Sequence, residues 1–146
     1  MSLSTEAIRV LRDLNPWWAD PRVVRPAPPA YRRPVVRDLL RRISGRRGLI
    51  EVLRGPRQVG KTTGIHQIIQ DLIAGGRSAT DLLFVRFDLE LLREERGALR
   101  SILDWYVAEV RRSSLDEGSP TCVFLDEVHK LPRWSDEVKH LGDTFP

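Results

Sequence analysis

The 146-residue chain has one cysteine, one methionine and three lysines. With Cys122 alone no intramolecular disulfide can form. That residue lies in the apolar run Cys122 to Leu125, where a small buried thiol is the simplest reading. His66, His129 and His140 share no metal-ligand spacing with it, so no zinc site is expected. Long apolar runs are also missing. No stretch approaches the about 18 apolar residues that a bilayer span needs, and Glu6, Arg9, Arg12 and Asp13 interrupt any secretory pattern. A cytoplasmic location, without a membrane span, is the expectation. Aromatic residues make up 7% and are not interleaved with basic ones as on a nucleic-acid surface.

What is present is ordinary for a globular protein: 41% apolar and 30% charged residues, in a length that suits one domain with a real core. The net charge of +4 hides an asymmetry. Residues 1–61 carry 14 Lys or Arg against 5 Asp or Glu, a net +9, whereas residues 62–146 carry 10 against 15, a net −5. A basic amino-terminal segment fits contact with nucleic acid or an acidic partner. Apart from Lys61, Lys130 and Lys139, every basic residue is arginine, so a coding bias explains the excess equally well.

One stretch carries specific chemistry. Gly55-Pro56-Arg57-Gln58-Val59-Gly60-Lys61-Thr62 fits the phosphate-binding pattern G-x-x-x-x-G-K-[ST]. It sits between the apolar run Leu49 to Leu53, which reads as a buried strand, and a segment in which Ile65, Ile68, Ile69, Leu72 and Ile73 recur at helical spacing. A triphosphate concentrates negative charge, and glycines let backbone N–H groups approach it closely. The helix that follows adds its unpaired N–H groups and its dipole. Lys61 supplies a full charge for the β- and γ-phosphates, and the Thr62 hydroxyl is a hard ligand for Mg²⁺.

Three strands and several helices are expected around this loop. Residues 3–14 show an amphipathic helical pattern ended by Asn15-Pro16, and Trp17 and Trp18 follow. The Pro- and Arg-rich stretch from Pro21 to Pro34 disfavours helix and central strand and reads as an extended connector over the surface. Pro34 then opens a second short helix ended near Gly45. Residues 1–48 are accordingly read as a helical, Pro/Arg-rich amino-terminal extension, and 49–146 as a nucleotide-binding domain. The second strand is Leu82 to Phe87, ended by Asp88; a long helix is expected over about 91–112; the third strand is Thr121 to Leu125. Alternating strands and helices predict an α/β fold with a parallel sheet flanked by helices.

The third strand runs into Asp126-Glu127. Beside a phosphate loop, this pair assigns Asp126 to Mg²⁺ and Glu127 to the polarisation of a water for in-line attack on the γ-phosphorus, with Lys61 assisting catalysis.

In combination, Gly-Pro-Arg-Gln-Val-Gly-Lys-Thr-Thr at 55–63, Phe-Leu-Asp-Glu-Val-His-Lys at 124–130 and Leu-Pro-Arg-Trp at 131–134 resemble the AAA-type P-loop ATPases often joined to a carboxy-terminal DUF4143 domain. The resemblance spans roughly residues 47–146. It implies binding of ATP with Mg²⁺, and hydrolysis. The matching loop residues are Gly55, Pro56, Arg57, Gln58, Val59, Gly60, Lys61, Thr62 and Thr63, with Thr62 and Asp126 on the metal and Glu127 as base. It also implies the strand order 5-1-4-3-2 and hence a P-loop NTPase sheet truncated after the third strand, with partners in a missing carboxy-terminal region or another protein. Trp134 is expected to pack with Val138 and Leu141. Gly64 stands where the family more often has a bulky apolar residue, which weakens the first turn of the helix. Two other readings stay open: a truncated nucleotide-binding or interaction module without turnover, and a helicase or translocase fragment, since Asp126-Glu127-Val128-His129 matches a D-E-x-H box.

Overall fold

A computed structural model describes residues 3–24, 27–43, 61–95, 97–113 and 121–144. The expected first strand, 49–53, and the loop residues Gly55, Pro56, Arg57, Gln58, Val59 and Gly60 lie outside the described residues. The elements are helix α1 (Thr5–Leu14), α2 (Pro34–Ile43), α3 (Lys61–Ala74), strand β1 (Leu82–Arg86), α4 (Glu90–Arg93), α5 (Ala98–Tyr106), β2 (Cys122–Asp126) and α6 (Trp134–Thr144). The fold is α/β.

β1 and β2 pair in parallel, with Leu82 opposite Cys122 and Arg86 opposite Asp126. Successive side chains of a strand point to opposite faces, and the two faces here have separate cores. Leu83, Val85 and Phe87 pack with Ala7 and Leu11 of α1, Leu92 of α4 and Leu99, Ile102 and Tyr106 of α5. Leu82 and Phe84 pack with Trp17, Val36 of α2 and Ile68, Ile69 and Leu72 of α3. The sheet is thus sandwiched between helical layers. Full burial of each large side chain contributes about 1.5–3 kcal/mol.

Local chemistry sets the helix ends. Ser4 caps α1 by accepting the Ala7 N–H at 3.1 Å, and Pro34 opens α2 with its φ already near the helical value. The long helix expected over 91–112 is instead broken. α4 lasts one turn, Gly97 takes a left-handed φ of 57°, α5 follows, and its last turn winds as a π-helix from Val107 to Arg111. The apolar periodicity continued across the break because α4 and α5 both face the same core, so spacing alone could not reveal the turn between them. Where α2 crosses α3, a Cβ added to Gly64 would lie 3.1 Å from Val36 Cγ2. The residue that weakens the helical turn therefore permits a close helix–helix approach.

The amino-terminal segment is packed into this architecture. Asn15 donates from Nδ2 to Phe84 O at 2.9 Å and accepts the Phe84 N–H at 2.7 Å. The indole N–H groups of Trp17 and Trp18 both donate to Leu82 O, at 3.1 and 2.8 Å. In a parallel strand the N–H and C=O of one residue point to the same side, and those of the next residue to the other. Side chains therefore occupy the edge of β1 that β2 leaves open. Farther along, Arg32 forks onto Asp71 of α3 at 3.0 and 3.1 Å, while Gln67 of α3 donates to Pro29 O and Tyr31 O. The connector expected to drape over the surface is held along α3.

Candidate nucleotide site

The first turn of α3 meets the carboxyl end of β2. Lys61 and Thr62 open the helix, where backbone N–H groups have no intrahelical acceptors. Thr62 Oγ1 donates to Asp126 Oδ2 at 2.6 Å, joining residues 64 positions apart. Asp126, the last residue of β2, is buried. A hydroxyl and a carboxylate in contact are the oxygen donors that suit a hard divalent cation retaining part of its water shell.

Four residues along, His66 Nδ1 lies 2.9 Å from Thr62 O. A carbonyl only accepts, so Nδ1 carries the proton. The ring is buried beside Phe84, with centroids 4.9 Å apart, and edge-on to Trp17 at 6.4 Å. Burial holds the imidazole below its usual titration range, against the opposing pull of the Thr62 carbonyl. His66, considered in the sequence only as a metal ligand and set aside, is a buried and hydrogen-bonded residue.

Glu127 directly follows β2 and adopts a left-handed φ of 55°, a conformation uncommon outside glycine, asparagine and aspartate. His129 Nε2 is 3.2 Å from Glu127 Oε2, within reach of a charge contact but off the line of a hydrogen bond. Among the described residues, Glu127 Oε2 is therefore buried without a hydrogen-bond partner. Such strain persists only where the surroundings enforce it.

Two further charged residues stand at the strand ends. Arg86, opposite Asp126 in the register, donates from Nη2 to Asp88 Oδ2 at 2.9 Å and brings Nε to 3.9 Å from Asp126 Oδ2. Sequence reasoning took Asp88 only as the end of a strand and passed over Arg86. The available signal was a single charge inside an apolar strand.

The expected site residues thus fall into two groups. Lys61, Thr62, Asp126 and Glu127 are placed at this junction, with Thr63 next to them on α3. The remaining loop residues lie outside the described part. A family model described as an AAA domain matches residues 47–146. The chain belongs to this family. No curated protein and no solved structure matches it. The AAA domain match begins after α2, so α1, the tryptophan pair, the connector and α2 lie outside it. Cys122, on the AAA domain's β2, is half-buried; its thiol is pushed up by burial, with Arg77 Nη1 3.4 Å from the sulfur as a lesser, opposing influence. Trp134 and Val138 of α6 pack against the α1–α5 core, and the Leu141 side chain lies outside the described residues. Among the described residues, no helix is long and apolar enough to cross a membrane.

Proposed function

We propose that the chain binds ATP with Mg²⁺ at the junction of α3 and β2 and hydrolyses it. The observation that carries this reading is the 2.6 Å hydrogen bond from Thr62 to Asp126, which unites the phosphate-loop threonine with the strand-end carboxylate. Membership of the AAA family supports the nucleotide and the reaction class. The donor set fits Mg²⁺: Thr62 Oγ1 and Asp126 would hold it, and when bound it neutralises charge on the phosphates.

Each residue then has a distinct part. The loop from Gly55 to Gly60, with Thr63, contributes backbone and side-chain donors to the phosphates, and Lys61 adds a full positive charge to them. Glu127 has a buried carboxylate oxygen with no hydrogen-bond partner, which suits a base that orients and deprotonates the attacking water. A carboxy-terminal partner domain of the kind the resemblance implies would read out the cycle, and a cytoplasmic location suits an ATP-dependent protein.

The test pairs two substitutions. Lys61→Ala should abolish saturable Mg-ATP binding measured at equilibrium, and Glu127→Gln should keep binding while slowing phosphate release by about 10²-fold or more. Hydrolysis by Glu127→Gln at the unmodified rate would remove Glu127 as the base. Failure of the unmodified, folded chain to bind Mg-ATP would overturn the reading as a whole.

A further inference from the structure

Three buried polar atoms among the described residues lack hydrogen-bond partners at the carboxyl ends of the two parallel strands: Arg86 Nε, Asp88 Oδ1 and Glu127 Oε2. In open α/β sheets this is the end where ligands bind. Buried polar atoms are nearly always paired, so unpaired ones at this end leave bonding capacity that the described residues do not fill.

Of the three residues, Arg86 is the one that reaches toward Asp126. It ends β1 directly opposite Asp126, and its guanidinium is shared between two carboxylates. The contact with Asp88 is a hydrogen bond at 2.9 Å; that with Asp126 is a looser 3.9 Å approach to Oδ2, the oxygen that already accepts from Thr62. Asp126 is almost completely buried, and a buried carboxylate needs a counter-charge. Among the described residues Arg86 stands beside it as a counter-charge, and its side chain is 37% exposed.

We propose that Arg86 is a positioning residue that sets how much divalent cation the nucleotide site requires. This rests on the reading of Asp126 as a metal-site carboxylate. In the cation-free protein Arg86 is anchored on Asp88 and partly neutralises Asp126 from 3.9 Å, and it gives up that approach when the cation binds. Asp88 acts as the second berth of the guanidinium. The chemistry is competition between two cations for one carboxylate, and no covalent step is involved.

The experiment measures binding of a non-hydrolysable ATP analogue to the full chain while MgCl₂ is titrated. Arg86→Gln should lower the half-saturating Mg²⁺ concentration by about threefold to tenfold, because a positive charge next to the metal site is lost in a partly screened setting. Asp88→Asn should raise it, since Arg86 then has only Asp126 to pair with. In the Arg86→Gln background, Asp88→Asn should have little further effect, which separates action through Arg86 from a direct field of Asp88 on the metal. Arg86→Lys, which keeps the charge, should stay near the unmodified value. A merely structural role would not move the two single variants in opposite directions.

An unchanged or raised Mg²⁺ requirement in a folded Arg86→Gln variant that still binds the analogue overturns the proposal and leaves the nucleotide site standing. If Arg86→Gln does not fold, an Asp88→Asn variant with an unchanged Mg²⁺ requirement overturns it equally. If the unmodified chain fails to bind the analogue at any Mg²⁺ concentration, the nucleotide reading falls and this proposal falls with it.

Discussion

His66 shows how a single buried side chain links the packing of the molecule to its candidate site. Its N–H holds the carbonyl of Thr62, whose hydroxyl in turn holds Asp126, so the ring supports the turn that presents the threonine. Burial lowers its pKa from the ordinary 6.5. The sign of the pH dependence follows. The unfolded chain takes up a proton near the ordinary value while the folded protein resists it, so stability falls as pH drops below about 6.5 and levels off beneath the lowered folded value. The thermal unfolding midpoint should therefore fall between about pH 7.5 and about pH 5.5, and His66→Gln should flatten that slope. A variant with the same slope as the unmodified protein would place the pH dependence elsewhere. At this scale the sequence singled out Lys61, Thr62, Asp126 and Glu127, and the structure brings Thr62 and Asp126 of that set into contact. The sequence was silent about Arg86 and His66. Their meaning comes from the strand register that sets Arg86 opposite Asp126 and from the helical turn that returns His66 to Thr62.

Among the elements, β1 depends most on what surrounds it. Its hydrogen bonds run to β2 on one side and to three side chains of the amino-terminal segment on the other. Asn15 supplies one donor and one acceptor in the spacing of a peptide unit, so it stands in for a residue of a neighbouring strand. Asn15→Ala would leave the buried N–H and C=O of Phe84 unsatisfied, at a cost of about 2–4 kcal/mol. Chemical denaturation should show a lower midpoint at unchanged slope; a shift of less than about 0.5 kcal/mol would mean that water replaces the amide at little cost. Strands and helices with a strong period were legible in the sequence: α1, α2, β1 and β2 all fall within a residue or two of their expected bounds. The break between α4 and α5 was not, because a chain can turn at Gly97 and resume the same apolar face. Asn15 was read only as part of a helix stop, and the two tryptophans were given no role. The pairing of a side-chain amide with a strand edge has no sequence period to betray it.

For the molecule as a whole, the packed core extends beyond the family match. Ala7, Leu11 and Trp17 are fully buried, although they precede the matched residues 47–146 by a long way. Their partners are the two faces of the sheet. Deleting residues 1–24 should therefore expose both cores at once, and the shortened chain should lose its soluble, cooperatively unfolding form, as read by size-exclusion chromatography and thermal denaturation. A truncated chain that remains monomeric and unfolds in one sharp transition would show that the segment is dispensable. The capped edge also gives the sheet a polarity. With Leu82 and Phe84 already engaged by Asn15 and the tryptophans, accretion at the β1 flank is blocked, and any strand that enlarges this sheet, whether from the same polypeptide or another, must do so beyond β2. Growth is thereby confined to the side that carries Asp126, so the first strand added arrives next to the proposed nucleotide site instead of away from it.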